Sequence, residues 1–221
     1  MVCTHPSGTN AGLSISVELD GLVGTLASAF SYDGLAITDI RAANGPTSGG
    51  TAVTLAGVNF GYLSSGRSIE IGSTAVGTGN WLSDSAVVCT HSIGSGAPHD
   101  VSVSEDGVMA RLEQAFSYDA PVVTAAVPST VTWNGKGSDV DIFGMNFGAG
   151  TAIEAMRVEV GETRCVTSAY MTETSIRCTV AEGAGTNLSV VVVTTMLRGS
   201  LPAALSYQMT SAPVIAPLSL A

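Results

Sequence analysis

Apolar and polar residues alternate through most of the chain. Val53 and Leu55 lie on one side of an extended segment, with Ala52 and Thr54 on the other. Val140 and Ile142 repeat this with Asp139 and Asp141 outward; Ile69 and Ile71 flank Glu70 as Val158 and Val160 flank Glu159. A period of two with polar partners predicts strands buried on one face. Gly, Pro, Ser and Asn clusters break the runs at intervals of about 8 to 12 residues, the rhythm of a β-sandwich. No segment carries a 3.6-residue apolar stripe, so an all-β fold is predicted.

The pattern also repeats at long range. Cys3 to Tyr32, Cys89 to Tyr118 and Cys178 to Tyr207 each span 29 positions, and the apolar residues between coincide without gaps. Ile15 matches Val101 and Val190, Val17 matches Val103 and Val192, and Phe30 matches Phe116 and Leu205. Upstream, "GPTSGGTAVTLAGVNFG" (Gly45 to Gly61) corresponds to "TWNGKGSDVDIFGMNFG" (Thr132 to Gly148), and "RSIEIG" to "MRVEVG". Such self-similarity marks tandem units, here of roughly 85 to 90 residues. Residues 1–34 form the back half of one unit, 35–120 a whole unit and 121–209 another; 210–221 read as the first strand of a fourth. Linkers are short, since Pro121-Val122-Val123 follows Tyr118 almost at once. Tandem sandwiches joined so tightly are expected to make a rod with limited bending.

Composition narrows the function classes. Charged residues make up 12% of the 221 positions, against roughly 25% in a typical soluble domain. The net charge is −10, with one lysine, Lys136, and seven arginines. Nucleic acids and anionic membranes both require clustered cations, so neither is an expected partner. Met1 is followed by polar "CTHPSGTNAG" with no apolar secretory core, and the apolar run around Val190 to Val193 is too short to cross a bilayer. No membrane insertion is expected in this segment. An excerpt from a longer protein, or a chain completing its partial units with neighbours by strand addition, both fit the phase of the repeat.

The stretch "ITDIRAANGPTSGGTAVTLAGVNFG" (Ile37 to Gly61) resembles the opening of IPT/TIG domains, the immunoglobulin-like units of plexins, transcription factors and large surface proteins. It shows the Ile-x-x-Ile start, the Gly-Pro-x-x-Gly-Gly turn, an alternating strand and the Gly-x-Asn-Phe-Gly corner. Gly144-Met145-Asn146-Phe147-Gly148 repeats the corner in the next unit, which lacks the Gly-Gly turn. The resemblance implies tandem immunoglobulin-like β-sandwiches.

It also implies that Cys165 and Cys178 form a disulfide joining neighbouring strands across a small turn, given an oxidising compartment. Cys178 lies 17 positions after Gly161 and Cys89 lies 17 after Gly72, so the counterpart of Cys165 falls on Val76. Cys89 therefore lacks an intradomain partner and is either a buried free thiol or a link to another chain. The partner position of Cys3 falls outside the sequence, which leaves the same alternatives open. No C-x-x-C or second His pair supports a metal site, and no cofactor is expected.

Catalytic chemistry finds little support. His5 and His91 occupy one repeat position, two residues after a cysteine, where the third unit has Val180. A cysteine–histidine pair needs contact and an orienting third group, whereas recurrence in a repeat favours packing. Asp139, Asp141 and the boundary residues Asp33, Asp39 and Asp119 raise calcium binding, but one carboxylate per boundary fits solvated charge better. Asn187-Leu188-Ser189 is an N-glycosylation sequon. Trp81 and Tyr170 share a repeat position expected to cover the sandwich end; sugar stacking by Trp81 or Trp133 lacks paired exposed aromatics. The resulting expectation is a non-enzymatic, extracellular or cell-surface structural or adhesive segment of a larger protein. Its partners would be other protein chains, including copies of itself, through sandwich faces and strand edges. The alternative is a plexin-like receptor ectodomain binding a ligand or glycans; a Rel-like dimerisation domain is disfavoured by the acidity and by Cys165 and Cys178.

Overall fold

The computed structural model describes the chain apart from residues 1, 7, 9, 62–66, 77, 78, 106, 134–136, 149–155 and 210–221, and only the backbone of residues 133 and 209. The first strand expected for a fourth unit, in 210–221, thus lies outside the described residues, as do the tryptophan ring at 133 and most of the segment that replaces the Gly-Gly turn. Every regular element among the described residues is a β-strand. The chain divides into two compact bodies, residues 1–118 and 119–221.

The first partial unit is an antiparallel hairpin of β1 (Leu13–Leu19) and β2 (Leu22–Phe30). The second unit contains β3 (Ala36–Arg41), β4 (Asn44–Gly45), β5 (Ala52–Val58), β6 (Arg67–Ile71), β7 (Thr74–Ala75), β8 (Asn80–Ser83), β9 (Ala86–Thr90), β10 (His99–Glu105) and β11 (Val108–Tyr118). They form two sheets, β3-β5-β9-β8 and β4-β11-β10-β6-β7. The third unit runs from β12 (Val122–Val127) and β13 (Thr130–Trp133) through β14 (Ser138–Met145), β15 (Arg157–Val160), β16 (Thr163–Arg164), β17 (Thr167–Thr172) and β18 (Ser175–Val180) to β19 (Leu188–Thr194) and β20 (Leu197–Met209). Its sheets, β12-β14-β18-β17 and β13-β20-β19-β15-β16, repeat that order. In both units the opening segment changes sheets, pairing antiparallel at β3 or β12 and parallel at β4 or β13.

The alternation seen in the sequence becomes the core. Val53, Leu55, Ile69, Val87, Val101 and Val103 are fully buried in the second unit, as are Ile142, Val158, Ile176, Val190 and Val192 in the third. The Gly-x-Asn-Phe-Gly corner has a steric reason in each. A Cβ on Gly57 would lie 2.1 Å from the Ala36 carbonyl oxygen and 2.6 Å from the Phe60 ring; on Gly144 it would lie 2.0 Å from the Val122 oxygen and 2.5 Å from Phe147. Asn59 and Asn146 adopt φ of 61° and 60°, a region that asparagine tolerates. Their amides donate to the carbonyls of Gly34 (2.9 Å) and Ala120 (3.4 Å), fastening the segment that enters each unit.

The three Cys-to-Tyr segments fold alike. Each hairpin shifts register once, at Leu13/Ile15, His99/Val101 and Leu188/Val190. Opposite each shift one residue is left-handed: Ser28, Gln114 or Ala203, with φ of 51°, 52° and 52°. This is a bulge, which tightens the local twist.

Candidate interaction surface

Three tyrosines anchor the loop that follows each cysteine strand. The hydroxyls of Tyr32, Tyr118 and Tyr207 donate to the carbonyls of Pro6 (2.8 Å), Ser92 (3.0 Å) and Ala181 (2.8 Å), each 26 residues upstream. The rings lie so close to Gly8, Gly94 and Gly183 that a Cβ there would come within 2.6, 2.4 and 2.8 Å. Burial raises the pKa of Tyr118 and Tyr207 above the ordinary phenol value.

The paired histidines belong to this packing. His5 stacks on Phe30 and Tyr32 at centroid distances of 5.1 and 5.5 Å, and His91 on Phe116 and Tyr118 at 5.2 and 5.7 Å. His91 is buried; its Nδ1 donates to the Ser92 carbonyl (3.1 Å), and its Nε2 faces Gly45 with no hydrogen-bond partner among the described residues. Among the described residues its ring contacts are Phe116 and Tyr118, and no carboxylate hydrogen-bonds to it.

Cys165 and Cys178 are bonded, with Cα atoms 5.9 Å apart, within the range that a disulfide spans. The bond crosses the sandwich and does not join neighbouring strands of one sheet, which corrects the geometry implied by the resemblance. The chain changes sheets there: the Cys165 N–H donates to Val158 in β15 and the Val166 N–H to Thr179 in β18. In the second unit the Val76 N–H donates to Ile69 with the same 2.9 Å length, so Val76 sits where Cys165 sits. Cys89 is buried without a bonded partner, and burial pushes its thiol up to about 11. A nucleophilic or exchanging cysteine needs the opposite shift. Of the two alternatives for Cys89, the structure places it as a free core thiol; Cys3 is free and exposed.

The remaining candidates disperse. Asp141 pairs with Arg177 (2.7 and 3.0 Å), Asp139 accepts from the Thr179 hydroxyl (2.7 Å), and Asp39 meets Arg41. No group of three or more His, Cys, Asp or Glu suited to a metal exists among the described residues. Trp81 donates its indole N–H to the Gly61 carbonyl and Tyr170 its hydroxyl to that of Gly148, both at 2.9 Å, so this repeat position latches the corner. Asn187 is exposed just before β19 with φ 56°. No helix among the described residues is long and apolar enough to cross a membrane.

One surface escaped the residue-by-residue reading. Ile15 and Val17 are each 44% exposed, whereas Val101, Val103, Val190 and Val192 at the same positions are fully buried. Leu19 and Leu26 are also exposed, on a hairpin whose other face carries the Ser16–Thr25 hydroxyl pair. β10 pairs with β6 as well as β11, and β19 with β15 as well as β20. Among the described residues β1 pairs with β2 alone, so its second edge is open. Comparing the apolar positions of the first hairpin with its two copies was the signal available. Beside this hairpin lies a cavity of about 390 Å³ lined by His5, Phe30, Tyr32, Asp33, Asn59 and Asp84 among others.

The chain is similar in part to several solved structures. The full extracellular region of plexin A4, domains 1 to 8, is 20% identical with a TM-score of 0.39, over 79% of this chain and 18% of that one. The surface glycan-binding protein PbSGBP-B from Prevotella bryantii is 15% identical with a TM-score of 0.48, over 91% and 42% respectively. The I9–I11 tandem of titin is 8% identical with a TM-score of 0.31, over 92% and 74%. The chain thus spans less than a fifth of the plexin ectodomain and about two fifths of the glycan-binding protein. A family model described as the IPT/TIG domain matches residues 35–119 and again 121–208. With two successive matches covering most of its length, and the corner motif in both, the chain belongs to the IPT/TIG domain family.

Proposed function

We propose that this chain is a non-catalytic structural or adhesive segment of an extracellular or cell-surface protein, working through protein–protein contacts of sheet faces and strand edges. The observation that carries the reading is the apolar surface at an edge of the whole third unit, where Val122 of edge strand β12 stands opposite Met145 of β14, 43% and 53% exposed. Exposed aliphatic faces beside an unpaired strand edge are contact surfaces, because each separately favours association. The cross-sheet disulfide suits an oxidising, extracellular setting. The thiol of Cys89, raised and enclosed, and the histidines packed on aromatic rings supply packing in place of catalytic groups.

Hydrogen exchange of the β12 amides tests this in the polypeptide isolated from its source and in the chain alone. Slow exchange in the native material and fast exchange in the chain alone support a protein contact at this face. Fast exchange in both overturns it. The ligand-binding alternative draws on the cavity beside Tyr32, whose aromatic wall and Asn59, Asp33 and Asp84 could receive a hydroxyl-rich ligand. Retention of a defined oligosaccharide on a glycan array, lost on Tyr32→Ala, would favour that reading.

A further inference from the structure

The two whole units carry different residues on one outer sheet face. The third unit's β12-β14-β18-β17 matches the second unit's β3-β5-β9-β8 pair for pair. Val122–Met145 stands where Ala36–Val58 stands, Ala125–Phe143 where Asp39–Ala56 stands, and Val127–Asp141 where Arg41–Thr54 stands. The second unit's edge strand β3 therefore turns the exposed Asp39–Arg41 pair to solvent, a device that keeps sheet edges apart from neighbours. β12 carries no charge, and Val122, Val127, Phe143, Met145 and Met171 are all exposed. At those five positions the second unit has Ala36, Arg41, Ala56, Val58 and Leu82.

The face is also graded in size. Its β12–β14 half presents Val122, Val127, Phe143 and Met145, while Ala169, Thr172 and Ser175 lie on the β17–β18 half. The registers set Val127, Asp141, Arg177 and Ala169 in one cross-strand row, and Ala125, Phe143, Ser175 and Thr172 in the next. At the middle of the first row the part-exposed Asp141 and Arg177 are ion-paired across the strands at 2.7 Å.

We propose that this face receives the same face of a second copy of the chain, about a two-fold axis running along the strands between β14 and β18. The proposal rests on the protein-contact reading above and names its occupant. Such an axis exchanges the two halves, as an isologous contact requires. Val127 comes over the partner's Ala169, Phe143 over the partner's Ser175, and Met171 over the partner's Ala125. Large residues thus meet small ones, which lets two aligned sheets interdigitate at about 10 Å. The axis also reverses the ion pair, so Asp141 meets the partner's Arg177 and each charge gains a second opposite neighbour. A partner of uniform charge would be repelled by one member of the pair, whereas a second copy satisfies both.

Sedimentation of the full chain at rising concentration tests this, with Cys3→Ser removing the exposed thiol. A monomer–dimer equilibrium is expected, weakened at least about tenfold by Phe143→Ala. Asp141→Lys and Arg177→Glu should each weaken it too, because like charges then face each other across the axis. Mixed together, those two variants should dimerise with about the affinity of the unaltered chain, an outcome that a purely internal role of the pair would not give. Retention of the third unit's thermal transition in every variant controls for folding. A chain that stays monomeric at every concentration, with β12 amides slow to exchange in the native material, overturns the second copy as occupant and leaves the protein-contact reading intact. A monomer with fast β12 exchange in both preparations overturns both. A dimer indifferent to Phe143→Ala overturns this face, and a mixture no tighter than either charge variant alone overturns the two-fold arrangement.

Discussion

The second and third units share sheet order, hairpin register, tyrosine latch and glycine corner, yet they are fastened differently at two places. Where the third unit has the Cys165–Cys178 bond across its sandwich, the second has Val76 and a lone Cys89. Where the second unit joins Arg67 to Glu105 inside the sheet, the third sets Met156 near buried Thr194. What both units keep defines the fold; what they exchange is reinforcement that either could do without. The Gly57 and Gly144 positions allow no such exchange, because a side chain there collides with backbone.

The largest effect should come from breaking the buried ion pair. Glu105→Ala leaves the Arg67 guanidinium enclosed without its carboxylate, and the second unit should lose roughly 3 to 5 kcal/mol. Replacing both partners by the third unit's residues, Arg67→Met with Glu105→Thr, should return stability to within about 1 kcal/mol of the original, since the charge and its desolvation leave together. Urea unfolding followed by calorimetry resolves the two bodies, and the transition of the third unit should not move. A Glu105→Ala loss no larger than that of the double variant would show that the pair is not the reinforcement described.

The disulfide is next in size. Reduction closes no loop in the unfolded third unit and should remove about 3 kcal/mol from it alone. The complementary gain is Val76→Cys, which places a second thiol at the seat matching Cys165; oxidation should stabilise the second unit by about 2 to 3 kcal/mol. In the unaltered chain Cys3 should react with a maleimide reagent under native conditions while Cys89 reacts only on denaturation. Fast native labelling of Cys89 would contradict its core placement.

Alternation and the long repeat made the sandwich class, the strand positions and the core readable, because a two-residue period and a buried face constrain each other. The equivalence of His5 with His91, and of Trp81 with Tyr170, was also readable, although their hydrogen bonds to backbone carbonyls were not. Sequence spacing does not say which sheet a residue joins, so the change of sheets at Cys165–Val166 stayed hidden, and with it the cross-sandwich course of the disulfide. Nor does a matching apolar pattern reveal whether its face is covered. Ile15 and Val17 read like Val101 and Val103, and they are set apart by β1 pairing with β2 alone among the described residues.

A smaller effect tests whether the tyrosine latch is equivalent in both units. Burial raises the pKa of Tyr118 and Tyr207 in the folded state, so the neutral phenol is favoured there. Each contributes stability that is complete below the unfolded phenol value of about 10 and is lost as pH rises through the higher folded value. Tyr118→Phe and Tyr207→Phe should each cost about 1 kcal/mol at neutral pH and flatten the alkaline loss in their own unit. Since Tyr118 is the more buried ring, the second unit should lose more in alkali than the third.

The smallest difference lies in two half-buried aspartates, both held below the usual carboxylate range. Asp100 is held first by the Gln114 N–H at 2.6 Å and then by Arg111; Asp141 is held by Arg177. Each contributes above its unfolded value of about 3.9 and ceases to as pH falls through the lower folded value. The anchors differ in kind, since the Gln114 N–H belongs to the left-handed bulge residue that the hairpin fixes, while Arg177 is an exposed side chain whose charge salt screens. In a carboxyl-detected NMR titration, Arg111→Ala should leave Asp100 still depressed, whereas Arg177→Ala should return Asp141 to the ordinary range. If both recover fully, the bulge amide is not the principal anchor, and the second unit's hairpin holds its carboxylate through an arginine, as the third unit's sheet does.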